Sequence, residues 1–122
     1  MQPTICIKRA YDDPSEKDGY RILVDRLWPR GIAKKDLPID EWAKDMAPTT
    51  DLRKWFGHLP ERWNEFKRLY TVELKDNPSV ETFIQTHRQY PIITLVSAAK
   101  DEAHTHALVL QDFLKKKFSK NN

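Results

Sequence analysis

At 122 residues, with 39% hydrophobic side chains that include four Trp, five Phe and four Tyr, the chain has the length of one domain and enough apolar material for a core. Lys and Arg outnumber Asp and Glu by 21 to 18, a formal charge of +3 that permits a nucleic-acid partner without demanding one. A single cysteine, Cys6, excludes an internal disulfide and Cys-pair metal sites, and no apolar run approaches the ~20 residues of a membrane helix, so a cytoplasmic domain without membrane contact is expected.

In chain order, Thr4 to Arg9 alternates, with Ile5 and Ile7 on one face and Cys6 and Lys8 on the other, as in a strand with one wetter side. The loop from Tyr11 to Gly19 is long for a tight hairpin and short for a parallel crossover, and on local grounds it leans antiparallel. Arg21-Ile-Leu-Val-Asp25 lacks polar alternation and reads as a buried central strand. Ile39, Trp42, Ala43 and Met46 follow helical spacing until Pro48 stops the pattern. Thr50 is the expected cap of a short helix carrying Leu52, Trp55 and Phe56, broken at Gly57. From Pro60 a longer helix shows a stripe of Trp63, Phe66, Tyr70 and Leu74. Asn77-Pro78 opens another, with Val80, Phe83, Ile84 and His87 inside. Ile92 to Val96 is the second central strand, and a final helix is expected from about Asp101 to Phe118. The order β-β-α-α-α-α-β-α predicts a single α/β domain of three layers, a small mostly parallel sheet with helices on both faces.

Ligands of parallel sheets collect beyond the carboxyl ends of the strands. Asp25-Arg26-Leu27-Trp28-Pro29-Arg30 leaves one such end, where Arg26 and Arg30 could clamp an anion and Trp28 stack on a planar group. The plainer alternative pairs Asp25 and Arg26 structurally. Ser97, Lys100 and Asp101 leave the other central strand. An expected helix start there offers N–H donors, with Asp101 a better cap than a catalytic acid. His104 and His106, two residues apart, point to different sides of a regular helix and cannot share one metal there. Asp45, Trp55 and His58 form a third group. His58 sits at a helix end and titrates near neutrality, whereas a solvated Lys44–Asp45 pair is the default. Trp42 and Trp63 read as core, and Cys6 as an inert thiol. The run Lys115-Lys116-Lys117 with Lys120 suits a solvated helix end, with phosphate binding as the second reading. Walker, GxGxxG, HExxH, GxSxG and CxxC motifs are absent, so the sequence names no cofactor and no metal.

Four strings are familiar. Tyr20-Arg-Ile-Leu-Val-Asp-Arg-Leu-Trp-Pro-Arg-Gly31, Lys44-Asp-Met-Ala-Pro48, Leu52-Arg-Lys-Trp-Phe-Gly-His58 and Ser97-Ala-Ala-Lys-Asp101 resemble the YeaO-like branch of the domain-of-unknown-function 488 family. The resemblance spans nearly the whole chain and implies an α/β fold, with no settled activity to carry across. It implies a first strand parallel to the second, against the local reading, which brings Arg9 and Tyr11 to the same pocket rim. Longer members of the wider family are similar in placing a Cys at the end of the last strand and Cys-His-Arg on the next helix. Here Ser97 stands at the first place and Thr105-His106-Ala107 at the second, so the His is kept while both Cys and the Arg are not.

The leading expectation is an enzyme, or a degenerate relative of one, for a small phosphate- or nucleotide-like anion. Arg9, Arg26, Arg30, Ser97 and Lys100 would hold it, with Trp28 and Trp55 as aromatic contacts. Asp25 or Asp45 with His58 or His104 would transfer protons. The alternatives are a nucleic-acid module using the basic C-terminal helix, and a protein-interaction domain, which predicts a large exposed apolar patch and no deep pocket.

Overall fold

The computed structural model describes residues 2–120. Four strands, β1 (Thr4–Arg9), β2 (Tyr20–Leu23), β3 (Glu41–Trp42) and β4 (Ile92–Ser97), form one sheet in the order β1-β4-β2-β3, and every pair is parallel. The parallel first strand follows the family resemblance rather than the local reading of its loop. β1 and β2 are not neighbours, because β4 lies between them. Ten residues separate β1 from β2 and can reach about 33 Å, while a six-residue strand spans about 20 Å, so a return without a helix is possible.

Four helices follow the expected pattern: α1 (Thr50–Phe56), α2 (Trp63–Lys75), α3 (Ser79–His87) and α4 (His106–Lys120). All of them contribute to one core against the sheet face that carries Ile5, Ile22, Val24, Ile93 and Leu95. Phe66, Tyr70, Leu110, Leu114 and Phe118 are fully enclosed there. The opposite face carries a smaller cluster of Ala10, Leu23, Leu37 and Val96, covered by Trp28, Ile32, Ile39 and Trp42. The second covering layer is therefore irregular chain with short 3-10 turns, not helix.

Three local expectations are corrected. The segment from Ile39 to Met46 is not a helix; Glu41–Trp42 is the edge strand β3 and Lys44–Met46 a 3-10 turn. Its backbone has a better offer from the sheet. Arg21 O accepts from Asp40 N and Leu23 O from Ala43 N, both at 2.8 Å, while the Trp42 indole donates to Asp25 O at 2.7 Å. Three sheet-directed bonds outweigh a helical period only eight residues long. The α1 cap is Thr49 rather than Thr50: its hydroxyl accepts from Leu52 N at 3.2 Å. The last helix starts at His106, five residues later than expected, with Thr105 accepting from Ala107 N.

On the second face the connection into β2 is fixed by buried charge. Asp18 meets Lys8 at 3.1 Å and the Arg21 guanidinium, and its backbone carbonyl accepts the Thr94 hydroxyl at 2.6 Å. Burial pushes the Asp18 carboxyl up, but the Ser15 N–H, Lys8 and Arg21 hold it below the ordinary value.

Candidate functional site

β2 and β4 lie side by side, so the segments leaving them, which begin Val24-Asp25-Arg26 and Ala98-Ala99, emerge together at the carboxyl edge. Between them, α1 and the start of α4 lies a cavity of about 590 Å³, within the range of small-molecule sites. Phe56, Phe66, Pro48 and Leu27 supply apolar wall, and Arg26, Arg30, Arg53 and Lys100 supply positive charge. The two carboxylates that line it, Asp25 and Asp101, each face a histidine.

Asp25 ties the site together. Its Oδ2 accepts the Ala98 N–H at 2.8 Å, across the gap between the two strand ends. Its Oδ1 lies 3.2 Å from His106 Nε2 but receives no aligned hydrogen bond. That N–H aims instead at the Val24 carbonyl, 3.1 Å away. Both side chains are 15% exposed. Burial pushes the Asp25 carboxyl up, yet His106, the Ala98 N–H and the Ser97 hydroxyl together hold it below the ordinary carboxylate value. Asp25 is thus kept ionised, and the nearby imidazole is held by one nitrogen.

The loop between β4 and α4 forms the other wall. Asp101 does not cap the final helix; its Oδ1 closes a turn by accepting from Ala103 N at 2.9 Å and His104 N at 3.2 Å. Its Oδ2 meets His104 Nδ1 at 2.8 Å, and this contact with His104 is what chiefly lowers the Asp101 carboxyl. The expected row of helix-start N–H donors at Ser97–Asp101 is therefore a looped segment, and the dipole end arrives at Thr105 and His106 instead. Ser97, 3% exposed, accepts from Ala99 N at 3.3 Å.

The candidates divide. Asp25, Arg26, Trp28, Arg30, His58, Ser97, Lys100, Asp101 and His104 line the one cavity. Arg26 is partly committed to structure, with Nε on Pro48 O at 2.9 Å and Nη2 on Ala47 O at 3.2 Å. Trp28 donates to Ile32 O at 2.6 Å and packs edge-on against Trp42. Arg9 lines a neighbouring space of about 210 Å³ and donates to Ala99 O at 3.3 Å, while Tyr11 reaches the main cavity. Asp45 and Trp55 lie outside the lining. Asp45 is exposed at a 3-10 turn and its carbonyl accepts from Asn77, and Trp55 is 39% exposed beneath the Arg62 guanidinium. The default expectation for Asp45 is a solvated pair with Lys44, and its exposed position agrees with that; Trp55 lies on α1 as expected but outside the lining.

His106 and Arg53 were not among the candidates. Arg53 stands in the Leu52-Arg-Lys-Trp-Phe-Gly-His58 string, which assigns it no role of its own. His106 had two signals, its spacing from His104 beside the strand end and its place in the Thr-His-Ala string where the resemblance keeps a histidine. His58 is held at φ 58°, the one non-glycine residue with positive φ among the described residues. Among those residues no group of three or more His, Cys, Asp or Glu is arranged to hold a metal ion. None of their helices is long and apolar enough to cross a membrane.

An all-parallel α/β domain with a cationic, histidine-rimmed cavity at its strand ends is the class that this geometry defines. The chain belongs to a subdivision of the DUF488 proteins, the family described as the inactive DUF488-N3 subclade, which it matches over residues 4–122. It is 44% identical over 111 residues to the uncharacterized protein YeaO of Escherichia coli K12, covering 91% of this chain and 96% of that one. It is 41% identical to the uncharacterized proteins Mb3100c of Mycobacterium bovis and Rv3073c of Mycobacterium tuberculosis, over 90% of this chain and 92% of theirs. No solved structure gives a significant match.

Proposed function

We propose that this chain is a binding protein for a small phosphate-like anion, seated in the cavity at the ends of β2 and β4, and that it holds this ligand without turning it over. The observation that carries the reading is the charge balance of the lining. Arg26, Arg30, Arg53 and Lys100 face two carboxylates, both already neighboured by histidines. Such a cavity attracts anions and its apolar wall favours a ligand with a flat or hydrocarbon part.

Two observations favour binding over catalysis. Ser97 stands where longer relatives carry the thiol, and it is buried and engaged with the Ala99 N–H. The matching family is itself described as inactive.

Thermal shift and calorimetry with inorganic phosphate, AMP and a short oligonucleotide test the reading. A ligand at a hundred times its Kd stabilises by about 2.7 kcal/mol. Arg30→Ala, Arg53→Ala and Lys100→Ala, all at exposed positions, should each weaken phosphate or AMP binding by about tenfold or more. Binding of the oligonucleotide alone, insensitive to these substitutions, moves the function to the basic face of α4. No response to any of the three probes refutes the anion site.

A further inference from the structure

We infer that the cavity takes up its anion together with a proton, and that His106 Nδ1 is the atom that holds it. The inference rests on the anion-site reading and specifies the contact that regulates it.

The argument begins with the imidazole's fixed end. Nε2 lies 3.1 Å from the Val24 carbonyl and 3.2 Å from Asp25 Oδ1. Both are acceptors, so Nε2 carries hydrogen in either charge state. The tautomer of the neutral ring is thereby set, and Nδ1 is left as a bare acceptor. It has no protein partner among the described residues and is not sealed from solvent, on a residue that lines the cavity. A bare lone pair repels an anion. A protonated Nδ1 donates to it, and the charge then on the ring is balanced by Asp25 at the other end.

Charges of both signs surround that ring. His106 is the first residue of the fifteen-residue α4, where the helix dipole disfavours a cation and favours an anion. Arg26, Arg30 and Lys100 line the cavity with it, as does Arg53 from α1, and these cations oppose a further positive charge; His58 and His104 are the other titratable groups there. Asp25 favours it, and Asp101 is spent on His104. From α2 the ring of Tyr70 lies edge-on at 6.2 Å, and burial raises that phenol well above its ordinary value, so it stays neutral. An arriving anion adds the negative charge that tips this balance toward the imidazolium.

Sulfate is the probe, since its charge is constant from pH 5 to 9. Its Kd for the wild-type chain should rise toward tenfold per pH unit across the titration of His106. Calorimetry in two buffers of different ionisation enthalpy should report uptake of up to one proton. His106→Gln should flatten the pH profile, whereas His58→Gln and His104→Gln should keep its slope. Because His106→Gln removes a packed ring, nitrogen-15 NMR of the wild-type imidazole gives a second readout. The neutral ring should be the Nε2–H tautomer, and phosphate or sulfate should raise its titration midpoint. Sulfate binding that is flat with pH, or a neutral Nδ1–H tautomer, overturns the proton coupling and leaves the anion site standing. Absence of sulfate, phosphate and AMP binding at every pH overturns both.

Discussion

Removing the Asp25 carboxylate should unfasten the two strand ends, and the size of the effect follows from its contacts. Asp25→Ala orphans the Ala98 N–H, now 2.8 Å from Oδ2, and removes the carboxylate beside His106 Nε2. Losing a hydrogen bond to a charged group and leaving its buried donor unsatisfied costs about 1.5–3 kcal/mol, and with only 15% exposure this one falls near the upper end, about 3 kcal/mol. Asp25→Asn keeps an acceptor for Ala98 and loses only the charge, about half as much. With 122 residues the unfolding entropy is about 0.26 kcal/mol/K, so the two substitutions should lower Tm by roughly 12 and 6 °C. The effect should also depend on pH. The folded-state pKa of Asp25 lies below its unfolded value, so its stabilisation is complete above about pH 4 and fades as pH falls through the folded value. Urea titrations at pH 7 and pH 2.5 should therefore show the Asn variant's deficit at the first and a smaller one at the second. An alanine variant within 0.5 kcal/mol of wild type, or an Asn deficit unchanged in acid, would refute this account.

Two further outcomes follow from backbone geometry. Gly19, at φ 65° and ψ −133°, occupies a region that side chains avoid, and an added Cβ would lie 2.7 Å from Ile92 Cβ and against the Ile92 carbonyl. Gly19→Ala should cost about 3 kcal/mol or more, and Gly31→Ala, with nothing within 4 Å, only about 1–2; equal losses in chemical denaturation would contradict the steric argument. His58→Gly relieves a left-handed side chain at the cavity rim, so its unfolding free energy should stay level or rise by up to about 1 kcal/mol while anion affinity falls. A variant that loses stability and keeps affinity would assign His58 a structural role instead.

The sequence by itself determined the α/β class, the two unalternating central strands and the three middle helices, because each is written in a local period of apolar residues. It also placed Asp25, Arg26, Ser97 and Lys100 at strand ends, where a parallel sheet gathers them. Tertiary structure decided the rest. Ile39, Trp42, Ala43 and Met46 have helical spacing, yet the free edge of β2 claimed this stretch as β3, since sheet hydrogen bonds from Arg21 and Leu23 are non-local and leave no period behind. The strand order, with β4 inserted between β1 and β2, came from a pairing more than seventy residues apart in sequence. That same insertion sets Asp25 beside Ala98 and His106, and gives this histidine one nitrogen held by a distant carbonyl and one left open. A single side chain carries no record of which of its nitrogens a distant carbonyl will hold.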